Sequence, residues 1–328
     1  MTHIPKDVEL APSTYYLLDK NYKLIHQGKV RDTFELDKER LLVVASNRIS
    51  IFDFVLNAVV PYKGEYLTAL THFWLNTIPT APPNHLTNEK SDDLDEILAR
   101  DYLIVKNMKG QLDPYELIFR ICLGGSVYKK YIESRVVAGI TLPDGLHKWA
   151  ELPSILFTPS TKAEVGHDIN IVQEEYYNAM PRGREFVVML REFLQKASDY
   201  ALSKGIMILD TKFEGSSSSM MLADEILTPD SSRYVKIEDY KAAIENVSEP
   251  AFMDKQIVRE WGLKVKTPWG TGINNLDPSN PDHLSFVDQL EVPTEVIGQV
   301  AQKYQDLFQS LTGLGLSEYQ EKFMGLKN

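Results

Sequence analysis

The stretch Gly205 to Arg233, GIMILDTKFEGSSSSMMLADEILTPDSSR, constrains this chain most. Apolar runs at 206–209 and 220–226 flank the small polar segment 215–219, the pattern of two strands joined by a turn. In the first strand Asp210, Lys212 and Glu214 recur at period two and so share one face. The second strand returns Asp224 and Glu225 past them. Carboxylates gathered around a lysine repel one another unless a cation offsets their charge. Magnesium does this, held as a rule by one or two carboxylates together with nucleotide phosphates. The polar turn at 228–233 ends in Arg233, a guanidinium able to fork onto a carboxylate or phosphate. On pattern alone, alternating charge more often marks the solvated face of an antiparallel sheet, and both readings stand here.

Composition sets bounds on the rest. With 328 residues the chain can form two or three lobes and a sizeable core. A net charge of -11 opposes nonspecific nucleic-acid binding, which needs basic surface, while leaving room for local basic pockets. The single cysteine, Cys122, rules out an intramolecular disulfide and reads as a small buried residue rather than a nucleophile. No apolar run reaches the length of a membrane span, and MTHIPKDVEL lacks a charged-then-apolar leader, so the expected location is cytoplasmic.

Along the chain, residues 1–23 read as an extended lead-in, followed by strand, glycine turn, strand, turn, strand through Ala45. Gly28-Lys29 lacks the Walker A spacing. A glycine turn flanked by Lys29 and Arg31 nevertheless suits phosphates, although most hairpin glycines are only turn residues. Residues 46–53 read as a polar loop. Leu67, Leu70, Phe73, Trp74 and Ile78 mark a core helix over 65–78. A short acidic helix is expected at 91–100 and a strand at 102–106.

Glu116 and Arg120 lie four apart on a strand, hence on one face. Gly124-Gly125-Ser126 then opens a helix expected to run to about Ala138. Its free N–H groups, with Lys129 and Lys130 close by, make an anion site; the alternative is that Ser126 merely caps the helix and the lysines face solvent. The loop 157–168, FTPSTKAEVGHD, is long and rich in groups that contact anions. His167 and Asp168 are adjacent on an extended chain and point apart, which suits substrate orientation better than a base and its orienter. An amphipathic helix is expected at 185–204, a surface excursion at 267–283 and a last helix from 293 that Gly313 stops.

These elements resemble, in order, those of the SAICAR synthetase family. GKVRD (28–32), SNRISIFD (46–53), ELIFRICLGGSVYKKY (116–131), FTPSTKAE (157–164), DTKFE (210–214) and ADEILTPDSSR (223–233) carry the likeness, with DKQ at 254–256. Asn47 departs from the family's usual aspartate, and one residue is missing between Glu164 and His167. The length and C-terminal helices look like the longer, yeast-like branch. The resemblance implies an α+β fold related to ATP-grasp proteins and, more distantly, to protein kinases. It implies an N-terminal antiparallel sheet lobe (1–113), a central mixed lobe (114–265) and a C-terminal helical extension (266–328), with ATP between lobes.

The activity so implied is ATP-dependent ligation of carboxyaminoimidazole ribonucleotide (CAIR) to L-aspartate in purine biosynthesis, through an acyl phosphate, with ATP and Mg²⁺ as cofactors. By the same resemblance Lys29 and Arg31 serve ATP, and Glu214 and Asp224 serve Mg²⁺ and nucleotide. Lys212 serves the phosphoryl group or nearby carboxylates, and Asp210 holds that lysine or the metal's surroundings. Glu116, Arg120, Ser126, Lys129 and Arg233 orient the ribonucleotide and aspartate carboxylates. Arg48, Ser50, Asp53, Ser160, Thr161, Lys162, His167 and Asp168 are further expected substrate contacts. Small molecules are the expected partners, with no nucleic acid or membrane, and a monomer is favoured over a dimer. Two rivals stay open: a kinase-like phosphotransferase, which would form ADP without aspartate, and a noncatalytic nucleotide-binding protein.

Overall fold

Strand pairing is antiparallel in every named ladder, both between neighbours joined by short turns, such as residues 23–27 with residues 31–35, and between strands distant in sequence, such as residues 115–122 with residues 206–216. The computed structural model describes residues 3–6, 8, 10–79, 81–89, 100–162 and 169–326. The architecture is α+β, in two units: residues 1–72, 86–107 and 254–328 form the first, and residues 73–85 and 108–253 the second.

In the first unit, β1 (Lys23–Gln27), β2 (Arg31–Glu35) and β3 (Arg40–Ala45) follow as expected from the sequence. β4 (Arg48–Ile51) and β5 (Phe54–Val59) form a hairpin where a polar loop was expected, and β6 (Tyr102–Lys106) completes a sheet of order β1-β2-β3-β6. The hairpin escapes sequence reading because its tight turn uses Phe52 and Asp53, at φ 50° and 69°, where glycine or asparagine is the usual signal. Residues 12–19 form a helix rather than an extended lead-in. Leu17 enters the core with Phe34, Leu42, Val44, Tyr102 and Ile104. Other inward groups of that helix are polar: Ser13 donates to Asp101 (2.5 Å) and Thr14 to Asp32 (3.0 Å), so no apolar stripe announced it. The expected acidic helix at 91–100 lies, but for Arg100, outside the described residues.

The second unit carries the central hairpin. β7 (Tyr115–Cys122) leads to the helix Ser126–Ser134, which stops short of Ala138 because Arg135 turns left-handed (φ 59°) into the small hairpin of β8 (Val136–Val137) and β9 (Ile140–Thr141). β10 (Glu151–Phe157), β11 (Ser160–Thr161), β12 (Ile206–Ser216), β13 (Met221–Ala223) and β14 (Ser232–Lys236) join β7 in one six-stranded sheet of order β10-β7-β12-β13, with β11 beside β7 and β14 beside β12. The helix Gly183–Ser203 buries Phe186, Leu190, Phe193, Ala197 and Ala201, and Phe193 meets Phe213 of β12 with ring centroids 6.0 Å apart. Cys122 is buried in this unit, and burial pushes its thiol up to about 12, as befits a packing residue.

The C-terminal part of the first unit holds more structure than a surface excursion. After the helix Gln256–Lys264 come a two-stranded ladder, β15 (Lys266–Thr267) with β16 (Gly270–Thr271), and the helix Pro281–Asp288, whose start is capped by Asn280 accepting from the Asp282 N–H at 2.9 Å. That helix lies on β5, where the Asn57 amide donates to the Asp288 carbonyl at 3.1 Å. The helix Thr294–Thr312 buries Val300, Tyr304, Phe308 and Leu311 and ends at Gly313 (φ 73°), as its spacing predicts. Among the described residues no helix is long and apolar enough to cross a membrane.

Candidate active site

The register of β12 against β7 builds one charged face in the second unit. Asp210 sits opposite Arg120 and Lys212 opposite Ile118. Period two therefore puts Asp210, Lys212 and Glu214 on the same side as Arg120 and Glu116. Lys212 Nζ donates to Glu116 Oε1 at 2.5 Å. Burial disfavours the Lys212 ammonium, but Glu116 first, then Glu214 and Asp224, outweigh that cost and hold it above the ordinary lysine value. Lys212 is thus held as a cation, bonded to Glu116 and acted on by the charges of Glu214 and Asp224.

Glu214 accepts from Lys162 at 2.5 Å, which draws the FTPSTK segment onto the same face. Ser160 pairs with Glu116 across β11 and β7; it is buried, and its hydroxyl finds no hydrogen-bond partner among the described residues. Thr161 Oγ1 accepts from the Ile169 N–H at 3.0 Å. Asp224 follows β13 in a left-handed conformation (φ 64°) and is half-buried. His167 and Asp168 lie outside the described residues.

One step along the face is a second cluster. The Asp210 carboxylate accepts from Arg120 and from Arg233, each at 3.0 Å. Two guanidiniums on one carboxylate leave a net positive charge. Arg120 is also held by Thr158 Oγ1 at 3.0 Å. Burial lowers its pKa to about 10, with Asp210 opposing the fall and Arg233 adding to it, so it stays cationic at neutral pH. Both guanidiniums converge on Gly125, whose φ of 63° suits glycine. Gly125 is the N-cap of the helix Ser126–Ser134; Ser126 is its first residue and makes no side-chain cap bond. Ser126 and Lys129 are exposed beside this positive end. The arrangement suits a phosphate or carboxylate.

In the first unit the Gly28 N–H bonds the Arg31 carbonyl at 2.7 Å, closing the turn that presents Lys29. Lys29 is ion-paired with Asp53 at the tip of the β4–β5 hairpin, and both are roughly half-exposed. Arg31 is half-buried in β2. Arg48, expected at the substrate, is instead wholly buried. It forks onto Asp32 (2.7 and 3.2 Å) and donates to the carbonyls of Gly28 and Lys29, both at 3.2 Å. It holds the Lys29 turn from beneath. Ser50 is likewise buried, in β4. Asn47 Oδ1 accepts from the Gly64 N–H at 3.0 Å. A carboxylate oxygen can make the same bond, so the departure at this position keeps the contact and removes the charge.

Three residues escaped sequence reading because tertiary packing alone gives them meaning. Asp32 is the counter-ion of Arg48, sixteen positions away. Asp113 is buried and accepts from the Ser217 N–H (3.1 Å), the Ser217 hydroxyl (3.1 Å) and the Tyr176 hydroxyl (2.7 Å), clamping the turn beyond Glu214. Trp149 packs under the two-arginine cluster. Asp32 closes the GKVRD motif, but nothing there marks it as a buried counter-ion, and no local pattern singles out Asp113 or Trp149.

Glu214 and Asp224 fit the habit of Mg²⁺, one or two carboxylates with the rest of the shell supplied by phosphate and water. No group of three or more His, Cys, Asp or Glu is arranged to cage a metal among the described residues.

Comparison with known proteins agrees with this geometry. A model of the SAICAR synthetase family matches residues 24–276. Phosphoribosylaminoimidazole-succinocarboxamide synthase from Polaromonas sp. (strain JS666) is 38% identical over 307 residues, covering 88% of this chain and 95% of that protein. The protein of the same name from Methylobacillus flagellatus is 40% identical over 306 residues, covering 90% and 96%. Among solved structures, SAICAR synthase from Saccharomyces cerevisiae complexed with SAICAR superposes with a TM-score of 0.74 at 29% identity, over 95% of this chain and 99% of that one. A SAICAR synthetase solved with ADP shares the fold, with a TM-score of 0.59 at 18% identity over 88% and 98%. The motifs in order, the family match across both units and the likeness over most of the length have one meaning: this chain belongs to the SAICAR synthetase family.

Proposed function

We propose that this chain joins CAIR to L-aspartate with ATP, giving SAICAR, ADP and phosphate, and that it does so by phosphorylating the CAIR carboxylate. The observation that carries the reading is the β7–β12 face. A lysine bonded to Glu116 and acted on by the charges of Glu214 and Asp224 stands one step from two arginines that share a single aspartate.

A carboxylate resists amine attack because its oxygen is a poor leaving group. In the first step a CAIR carboxylate oxygen attacks the γ-phosphorus; that P–O bond forms as the bond to the β-phosphate oxygen breaks and ADP leaves. In the second the aspartate amine attacks the acyl carbon, a C–N bond forms, and phosphate departs with the original carboxylate oxygen as the amine loses a proton. Both steps depend on positioning and charge neutralisation more than on covalent participation by the protein.

Lys29 and Arg31 are assigned to the ATP phosphates, with Asp53 holding Lys29 until phosphate replaces it. Lys212 is assigned to the transferring phosphoryl group, and Asp210 fixes Arg120 and Arg233. Glu214 and Asp224 would hold Mg²⁺, which when bound neutralises charge on the phosphates. Arg120, Arg233, Ser126 and Lys129 take the ribonucleotide's anionic groups. Glu116, Ser160, Thr161 and Lys162 line the approach to the reacting carboxylate.

Oxygen labelling tests the chemical step. With both CAIR carboxylate oxygens carrying ¹⁸O, mass analysis of released phosphate should find one labelled oxygen per phosphate. Phosphate free of label would mean that the carboxylate is never phosphorylated.

A further inference from the structure

Trp149 is the least ordinary residue near the two-arginine cluster. Its backbone is left-handed (φ 64°), an unfavourable state for a bulky side chain. That conformation is held from several sides. The Trp149 N–H donates to the Leu123 carbonyl at 2.8 Å, and its own carbonyl accepts from the Tyr240 hydroxyl at 2.9 Å. The indole Nε1–H donates to Glu249 Oε2 at 2.6 Å, and Lys148 pairs with the other oxygen of that carboxylate. Phe252 closes one side, with ring centroids 5.2 Å apart.

The ring so fixed meets Arg233 of the two-arginine cluster and the glycine turn beside it. The Arg233 guanidinium carbon lies 5.2 Å from the ring centroid, within cation–π range. Gly124 lies against the six-membered ring so closely that a Cβ there would overlap it. Trp149 therefore touches both Arg233 and the glycine turn that the two guanidiniums approach at Gly125. Its indole is anchored by Glu249, whose carboxylate is held by Trp149 and Lys148.

We infer that Trp149 is a positioning residue for substrate anion binding. Anchored by Glu249, it sets where Arg233 and the Gly124–Gly125 turn stand, and so tunes affinity for the phosphate or carboxylate received there. This rests on assigning the Arg120–Arg233 cluster to the ribonucleotide.

Two readouts test it. The first is intrinsic fluorescence, titrated with inorganic phosphate and with ribose 5-phosphate in the absence of ATP. Because Arg233 lies over the indole, anion binding should change the emission of the native chain, and Trp149→Phe should abolish that change. The second is steady-state kinetics. Trp149→Phe keeps a ring but loses the anchor and part of the π face. It should raise the CAIR KM about three- to tenfold, the size expected for a cation–π contact, with a smaller effect on kcat and none on the ATP KM. Glu249→Gln, which retains an acceptor for the indole, should behave like the native chain, whereas Glu249→Leu should behave like Trp149→Phe.

An equal rise in the ATP KM, or identical behaviour of Glu249→Gln and Glu249→Leu, would overturn the inference. So would an emission change that survives in Trp149→Phe. The fluorescence titration needs no turnover. An anion response from Trp149 in a chain that forms no SAICAR would sink the ligase reading while leaving the positioning role intact.

Discussion

Lys212→Ala is expected to lower kcat by on the order of a hundred- to a thousand-fold, the usual cost of removing one preorganised charge at the reacting group, while the chain stays folded. Lys212 stands on the β7–β12 face bonded to Glu116, and Glu116, Glu214 and Asp224 favour its charge. Its side chain is about one-third exposed, so the stability lost should stay within about 2 kcal/mol. Stopped turnover and urea denaturation, measured on the same preparation, separate the two effects. Lys212→Arg should recover little, because a planar fork does not reproduce a compact ammonium. A variant that unfolds, or one that keeps native turnover, would remove Lys212 from the chemistry.

For Arg48→Ala the expectation is the reverse, with stability taking the larger loss. The Arg48–Asp32 pair is completely buried, and deleting one member leaves an uncompensated charge, at a cost of about 3–5 kcal/mol. The Gly28 and Lys29 carbonyls lose their donors as well. Replacing both partners with apolar residues, Arg48→Met with Asp32→Leu, should recover part of that stability, because no buried charge then remains. Lys29→Ala is the contrast: its pair with Asp53 is well exposed, so the fold should change by no more than about 1 kcal/mol while the ATP KM rises. If Arg48→Ala loses under 1 kcal/mol by denaturant unfolding and its CAIR KM climbs, Arg48 contacts substrate after all.

What could be read from the sequence, and what could not, follows from how locally each feature is encoded. The β12–β13 hairpin was legible because apolar runs flank a short polar turn, and period two then put Asp210, Lys212 and Glu214 on one face; its second strand is shorter than the apolar run 220–226 suggested and ends at Ala223, before Asp224 and Glu225. The shared face of Glu116 and Arg120 followed from the same periodicity. The helix Pro12–Asp19 was missed because several of its inward groups are hydroxyls bonded to carboxylates. The β4–β5 hairpin was missed because its turn lacks a glycine signal. Arg48 was expected to contact substrate; its partner, Asp32, lies sixteen positions away, and only packing shows that the pair is sealed from water. Trp149 and Asp113 act through tertiary contacts alone, so nothing in their neighbours announces them.

The most direct test of the ligase reading is ADP release with Mg-ATP, CAIR and L-aspartate, each omitted in turn, with SAICAR followed by mass. Sustained ADP release should need all three, with SAICAR formed in equal amount. Sustained ADP release without aspartate, or ADP formed with no SAICAR, would contradict it and point to a phosphotransferase built on the same charged face.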